Sequence, residues 1–323
     1  MKPPGVYAAE TQMFDLIDRQ TLPEKILEAN GRMIGGLVYS RLGYLLFSVI
    51  GKDSDESLIL QWKPGSNKNS PVKLKELKKG SVTPFQKAEF WVAGLTFDHQ
   101  GRLLICAEGH GRVIRIEKDG SRSRLTGELK EQGLATNPHV KMGPALDLVY
   151  CIDGSIYFVD AGVWDIDQKN RASAKSAVYR IARSQIPGPH PLTKVSEDCA
   201  EPGGLALSPK QDLLYVSDAA RKNIRVHPIK ADGSLAPSRV FAEFPSGEPG
   251  SVCGLKTDEH GNVYATGPGG LSVFGPTGKY LGVMVTPEPP SRLTWGAGFS
   301  SLYVAAGTTI YHVATRIPGT RTF

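Results

Sequence analysis

Pro202-Gly203-Gly204-Leu205-Ala206-Leu207-Ser208-Pro209-Lys210-Gln211-Asp212-Leu213-Leu214-Tyr215-Val216-Ser217-Asp218 reads as a strand, a tight polar turn and a second strand. The same unit occurs five more times. Gly36-Leu37-Val38-Tyr39 leads to Leu45-Leu46-Phe47, and Gly94-Leu95-Thr96-Phe97 to Leu103-Leu104-Ile105-Cys106. Asp147-Leu148-Val149-Tyr150 leads to Ile156-Tyr157-Phe158-Val159, and Gly254-Leu255-Lys256-Thr257 to Val263-Tyr264-Ala265. Arg292-Leu293-Thr294-Trp295 with Leu302-Tyr303-Val304 is the last. The turns Asp98-His99-Gln100-Gly101, Ile152-Asp153-Gly154 and Asp258-Glu259-His260-Gly261 carry the Asp and Gly that hairpin backbones require.

A third strand with apolar–polar alternation follows in several units: Val113–Ile116, Val178–Ile181, Ile224–Val226 and Leu271–Phe274. A fourth, more polar strand is expected at Lys73-Leu74-Lys75, Arg239-Val240-Phe241 and Leu281-Gly282-Val283. Four strands per unit, repeating at roughly 40–60 residues, predict an all-β fold: a six-bladed β-propeller of four-stranded antiparallel blades. The sixth unit runs out after its third strand, Ile310–Val313. Lys25-Ile26-Leu27-Glu28 is free to supply the missing strand and close the ring, which removes an exposed edge. The unbroken repeat argues for one domain over 1–323, with 1–23 as an N-terminal extension and a short helix near Met13, Phe14 and Ile17.

Composition narrows the function classes. No apolar stretch approaches membrane-spanning length, and Met1-Lys2-Pro3-Pro4 lacks the apolar core of a signal peptide. Cys106, Cys151, Cys199 and Cys253 are scattered without CxxC spacing, which predicts buried thiols in a reducing, cytoplasmic setting. The formal charge is +6, and its densest basic run lies between Lys68 and Lys79. No aromatic residues interleave there, so the run reads as a solvated loop, with neither nucleic acid nor membrane as a partner. Gly-x-Ser-x-Gly, P-loop and dinucleotide signatures are absent.

Gly94–Arg112, Asp153–Asp160, Pro202–Asp218, Phe241–Pro249 and Gly261–Lys279 together resemble the senescence-marker-protein/gluconolactonase/luciferin-regenerating-enzyme family of six-bladed propellers. The resemblance runs from about residue 25 to 313. It implies a small-molecule enzyme, often a lactonase, with a divalent metal such as calcium or zinc at the top of the central channel. In that family the residue before each first-strand pair points into the site. Glu in the first blade, Asn in the third and Asp in the fifth hold the metal, and Asn residues of the second and fourth blades assist.

This chain departs at every such place. It has Gly35, Ala93, Leu146, Gly203, Cys253 and Ser291, with Trp91 in place of a further Asn. A hard cation needs several oxygen ligands, which Gly, Ala and Leu do not offer. The sequence therefore predicts no metal and no other cofactor. Trp91 and Leu146 would make the emptied mouth apolar, suited to an apolar or aromatic small molecule.

Several residues there are candidates for chemistry. Asp147 would serve as general base, against the competing reading of a turn-tying Asp. Cys253 would be a nucleophile if a base activated it, and otherwise a small filler. Glu108 and His110, in Ala107-Glu108-Gly109-His110-Gly111, form a possible acid–base pair. Arg292 would fork onto a carboxylate or phenolate. Trp164 and Tyr39 complete the expected substrate wall, although Tyr39 also fits the core. Asp160 and Asp218 read as turn-stabilising residues, and Asp165 and Asp167 as an acidic loop without a full calcium-loop pattern. The expectation is a metal-independent lyase or hydrolase. The alternatives are a lactonase with relocated metal ligands and a non-catalytic binding propeller. The oligomeric state is not encoded in any of these features.

Overall fold

The computed structural model describes residues 2–50, 57–64, 72–73, 82–88, 90–107, 112–129, 143–162, 175–183, 189–245, 248 and 250–320. Six sheets surround one axis, each beginning with its innermost strand and antiparallel apart from one parallel edge strand in blades three and six. Those innermost strands are Ile34–Ser40, Val92–Phe97, Ala145–Tyr150, Pro202–Leu207, Leu255–Thr257 and Pro290–Trp295, in blades one to six. Glu24–Glu28 pairs antiparallel with Thr309–Ala314, Leu27 opposite Ile310, and so closes the ring as expected.

Two expectations need correction. The fourth strand of blade one is Val82–Ala88, not the segment at Lys73. Val82 and Ala88 are buried there while Thr83 and Phe85 face outward, a half-buried pattern that the Lys-rich stretch cannot offer. Val72–Lys73 instead runs parallel to Glu24–Glu28 at the edge of blade six; the rest of the basic run from Lys68 to Lys79 lies outside the described residues. The N-terminal extension is also built into the ring. Gly5–Ala8 adds a fifth strand to blade five, and the helix Met13–Leu16 buries Met13, Leu16 and Ile17 among Leu281, Met284 and Trp295.

The repeated Gly-Leu pair has two physical causes. Its Leu is buried between neighbouring blades, as at Leu37, Leu95, Leu205 and Leu255. Burying one such side chain contributes about 2 kcal/mol. One apolar cluster fills each of the six blade interfaces. The Gly lets adjacent innermost strands touch. A Cβ at Gly204 would lie 2.0 Å from the Cys253 carbonyl oxygen, and one at Gly94 would lie 2.8 Å from the Asp147 Cα.

A hydroxyl latch recurs at this level. Ser48 Oγ accepts from Gly36 N–H (2.7 Å) and donates to the Val92 carbonyl of the next blade (2.7 Å). Ser217 joins Gly204 N–H to the Cys253 carbonyl, and Thr266 joins Gly254 N–H to the Ser291 carbonyl, in the same way. All three side chains are buried. Ser217→Ala strands a buried N–H and a carbonyl, which costs about 1–3 kcal/mol. Urea unfolding should show a lower midpoint for this variant; an unchanged midpoint would refute the latch.

Candidate functional site

The innermost strands share a second irregularity. Their pairing register shifts by a β-bulge between Ile34 and Leu37, Val92 and Gly94, Ala145 and Asp147, Pro202 and Leu205, and Pro290 and Arg292. Gly35, Ala93, Leu146, Gly203 and Ser291 therefore occupy bulged positions at one level of the channel. A bulge breaks the ladder and re-aims side chains, and such bulges concentrate at functional sites.

Three charged side chains meet at this level. Asp147, Lys256 and Arg292 line a constriction with Gly36, Ala93, Gly94 and Gly254, and the free cavity between them is about 10 Å³. That is room for about one water. Asp147 and Arg292 stand where blades one, two, four and five have the Gly of the Gly-Leu pair. The Arg292 guanidinium crosses the channel from blade six and comes within 3.5 Å of the Leu146 carbonyl on blade three. Asp147 is buried, and its Oδ2 accepts from the Leu205 N–H of blade four at 3.0 Å. One oxygen thus ties two blades together, and Oδ1 is the one left for chemistry.

Lys256 was not among the expected site residues, although the repeat carries the signal. The third residue of the innermost pairs reads Val38, Thr96, Val149, Ala206, Lys256 and Thr294, and the one charged side chain is conspicuous. Its Nζ donates to the Leu255 carbonyl at 3.1 Å. Part of its surface opens onto the channel lumen, yet protein encloses it on every side. Desolvation holds its ammonium below the ordinary lysine range; Asp147 opposes that shift and Arg292 adds to it. Below the constriction, Thr257, Trp295 and Thr320 line a space of about 50 Å³, and Thr320 N–H donates to the Thr257 carbonyl.

The remaining expected residues divide. Trp91 is partly exposed just before the innermost strand of blade two. Leu146 sits in its bulge but packs largely against the cluster between blades three and four. Cys253 is half-buried, and among the described residues no side-chain base is bonded to its thiol; its carbonyl serves the Ser217 latch. Tyr39 is a correction. It stacks on Tyr303 at 5.7 Å in the core between blades six and one, because its place on the innermost strand aims it into that interface and away from the mouth. Glu108, His110, Trp164, Asp165 and Asp167 lie outside the described residues.

The two turn aspartates behave as read. Asp218 accepts from the N–H groups of Ala200, Glu201 and Arg221. Asp160 Oδ1 accepts from Gly143 and Gly162 N–H, and burial pushes its carboxyl up to about 6 against those bonds. Cys106, Cys151 and Cys199 are buried and outside any disulfide, and burial pushes Cys151 and Cys199 up to about 12. No helix among the described residues is long and apolar enough to cross a membrane.

The sequence profile of the SMP-30/gluconolactonase/LRE-like region matches residues 36–308. The chain belongs to this family. It is 24% identical to the gluconolactonase of Zymomonas mobilis, over 94% of this chain and 85% of that protein. It is also 24% identical to the lactonase drp35 of Staphylococcus saprophyticus, over 73% of this chain and 83% of that one. Among solved structures, a gluconolactonase from Xanthomonas campestris superposes with a TM-score of 0.73 at 22% identity, covering 97% of this chain and 95% of that one.

Among the described residues, the donors present do not fit the divalent metal implied by the SMP-30/gluconolactonase/LRE-like family. A Cβ at Gly35 would lie 2.4 Å from the Val92 carbonyl oxygen and 2.5 Å from Ser48 Oγ, so the latch fills the space a ligand side chain would need. Gly203 is confined in the same way by the Val252 carbonyl and Ser217 Oγ, at 3.2 and 3.3 Å. Among the described residues, Asp147 is the one carboxylate lining the constriction, and it shares that lining with two cationic side chains. Among the described residues no three His, Cys, Asp or Glu side chains converge as a metal cluster would.

Proposed function

We infer that this chain is a small-molecule hydrolase of the lactonase kind in which fixed side-chain cations stand in for the metal of its family. The carrying observation is the placement of Arg292 and Lys256 beside Asp147 at the bulged level. Two cations in a poorly solvated channel disfavour a third, because unlike-charge compensation comes from one carboxylate only. The same two cations favour an anion, including the oxyanion that develops when a lactone carbonyl is attacked.

The reaction that suits this geometry is addition of water to the lactone carbonyl. Asp147 Oδ1 takes a proton from the water as its oxygen bonds to the carbonyl carbon. The Arg292 guanidinium donates to the carbonyl oxygen as negative charge builds on it. Collapse breaks the bond to the ring oxygen, which regains the proton from Asp147 and leaves as a hydroxyl; the product is a hydroxy acid. Lys256 lies deeper and acts through charge, holding Asp147 and the oxyanion in a positive field.

Substrate is confined to the mouth, because the constriction below admits little more than water. Trp91, Ala93 and the exposed part of Leu146 give that mouth an apolar wall, which favours an aromatic or otherwise apolar lactone over a polyhydroxylated one. The kcat/KM for an aromatic δ-lactone should exceed that for glucono-δ-lactone by tenfold or more. Preference for the sugar lactone would overturn the apolar-substrate reading, and no turnover of any lactone would overturn the hydrolase reading.

A further inference from the structure

A second cavity lies on the opposite face of the ring. It opens between blades two and three, beside the turns Asp98–Arg102 and Cys151–Ser155, whereas the bulges lie at the other end of the same strands. Its volume is about 370 Å³, far larger than the channel constriction. Its floor is apolar, made by the buried side chains of Leu104, Leu125, Ile156 and Ile181.

Its walls are rich in nitrogen donors, with Gln100 and the Asp98 carboxylate also in the lining. Arg102, Arg115, Arg183, His99 and His190 all line it, with the Tyr150 hydroxyl. Two of the guanidinium groups are fixed from behind. Asp98 Oδ2 accepts from Arg102 Nε at 2.7 Å, while Glu117 accepts from Arg115 Nε at 2.6 Å and from Arg102 Nη1 at 3.3 Å. Each Nε bond holds a guanidinium by one edge and leaves further N–H groups of the fork for a ligand. Arg183 lies against Gly154, where an added Cβ would meet its Cγ and Cδ at 3.1 Å, and it has no carboxylate partner among the described residues. His99 stacks on Tyr150 and shares a hydrogen bond with its hydroxyl. Burial, and then the Arg115 charge, hold His190 below the usual imidazole range. Three arginines against two carboxylates leave the cleft positive even with both histidines neutral.

We propose that this cleft between blades two and three is a binding site for a small phosphorylated metabolite, its phosphate held by Arg115 and Arg183 and its body lying on the Leu104–Ile181 floor. Guanidinium forks match phosphate oxygens in pairs, and Arg115, pre-placed by Glu117, loses little freedom on binding. The volume exceeds what inorganic phosphate needs, and the floor gives the remainder of the ligand something to cover. The site is independent of the channel and of the reaction assigned to it.

Isothermal titration calorimetry of the full chain with glucose 6-phosphate and with inorganic phosphate tests this. Saturable binding of the sugar phosphate is expected, tighter than that of inorganic phosphate. Arg183→Ala should weaken it about tenfold or more, the loss of one or more charge-assisted hydrogen bonds. Arg115→Ala should do the same; if releasing Glu117 unfolds that variant, Arg183→Ala still decides, since no described carboxylate depends on it. Arg292→Ala in the channel should leave the affinity unchanged. Absence of saturable binding by both probes, or binding that Arg183→Ala leaves intact, would overturn the proposal, as would loss of binding in Arg292→Ala.

Discussion

Arg292→Ala should lower kcat/KM for a lactone by about 10²–10³, the usual loss when one oxyanion donor is removed from a water-poor site. The decrease should fall mainly on kcat, because the guanidinium binds charge that is present in the transition state and not in the neutral substrate. Arg292→Lys should recover only part of the rate, since an ammonium on a shorter, unforked chain cannot span from blade six to the Leu146 carbonyl on blade three. The rival reading is a plug. Arg292 could simply fill the channel, in which case the variant would lose melting temperature while each folded molecule kept its kcat. Kinetics and thermal unfolding on the same preparation separate the two.

Gly35→Glu restores the family's first-blade ligand in name, and it should damage the protein without recruiting a metal. Its Cβ would meet the Val92 carbonyl oxygen at 2.4 Å and Ser48 Oγ at 2.5 Å. Backbone cannot yield as the end of a flexible side chain can, so blades one and two must part and the Ser48 latch must break. Overpacking and a lost buried hydrogen bond together cost about 3 kcal/mol. For a chain of this size that lowers the melting temperature by roughly 4–6 °C. Calcium should not restore it, because the new carboxylate would join only Asp147 and would still face Lys256 and Arg292. A Gly35→Glu protein with unchanged melting temperature and calcium-dependent stabilisation would show that the position still belongs to a metal site.

The ring of blades was legible because a propeller repeats its own constraints. Leu205 and its counterparts must be buried between blades, Gly204 and its counterparts must let strands touch, and Asp98 and Gly101 must turn the chain. Those demands recur six times and survive divergence. The fourth strands were less legible, since outer strands are half-solvated and tolerate many residues. Thus Val82–Ala88 was hidden behind a Lys-rich stretch that looked equally polar.

The site was legible as a substitution pattern and not as a geometry. Comparing the six units isolates Gly35, Ala93 and Leu146, but it does not show that bulges displace these positions from the ladder. Nor does it show that Ser48 and Ser217 occupy the space beside Gly35 and Gly203. Asp147 and Arg292 were visible because they break the Gly-Leu rule. Lys256 breaks the pattern one place further along, where Val and Thr are usual, and so passed for an ordinary strand residue. Tyr39 was misplaced because an aromatic side chain on an innermost strand serves a blade interface as readily as a mouth.

Exhaustive chelation of active protein, followed by lactone turnover and metal analysis on the same sample, bears most directly on whether side-chain cations have replaced the metal. Turnover should be unchanged by the chelator and by added calcium or zinc, with no stoichiometric ion in the protein. Activity that is lost on chelation and returns with one equivalent of metal would contradict it.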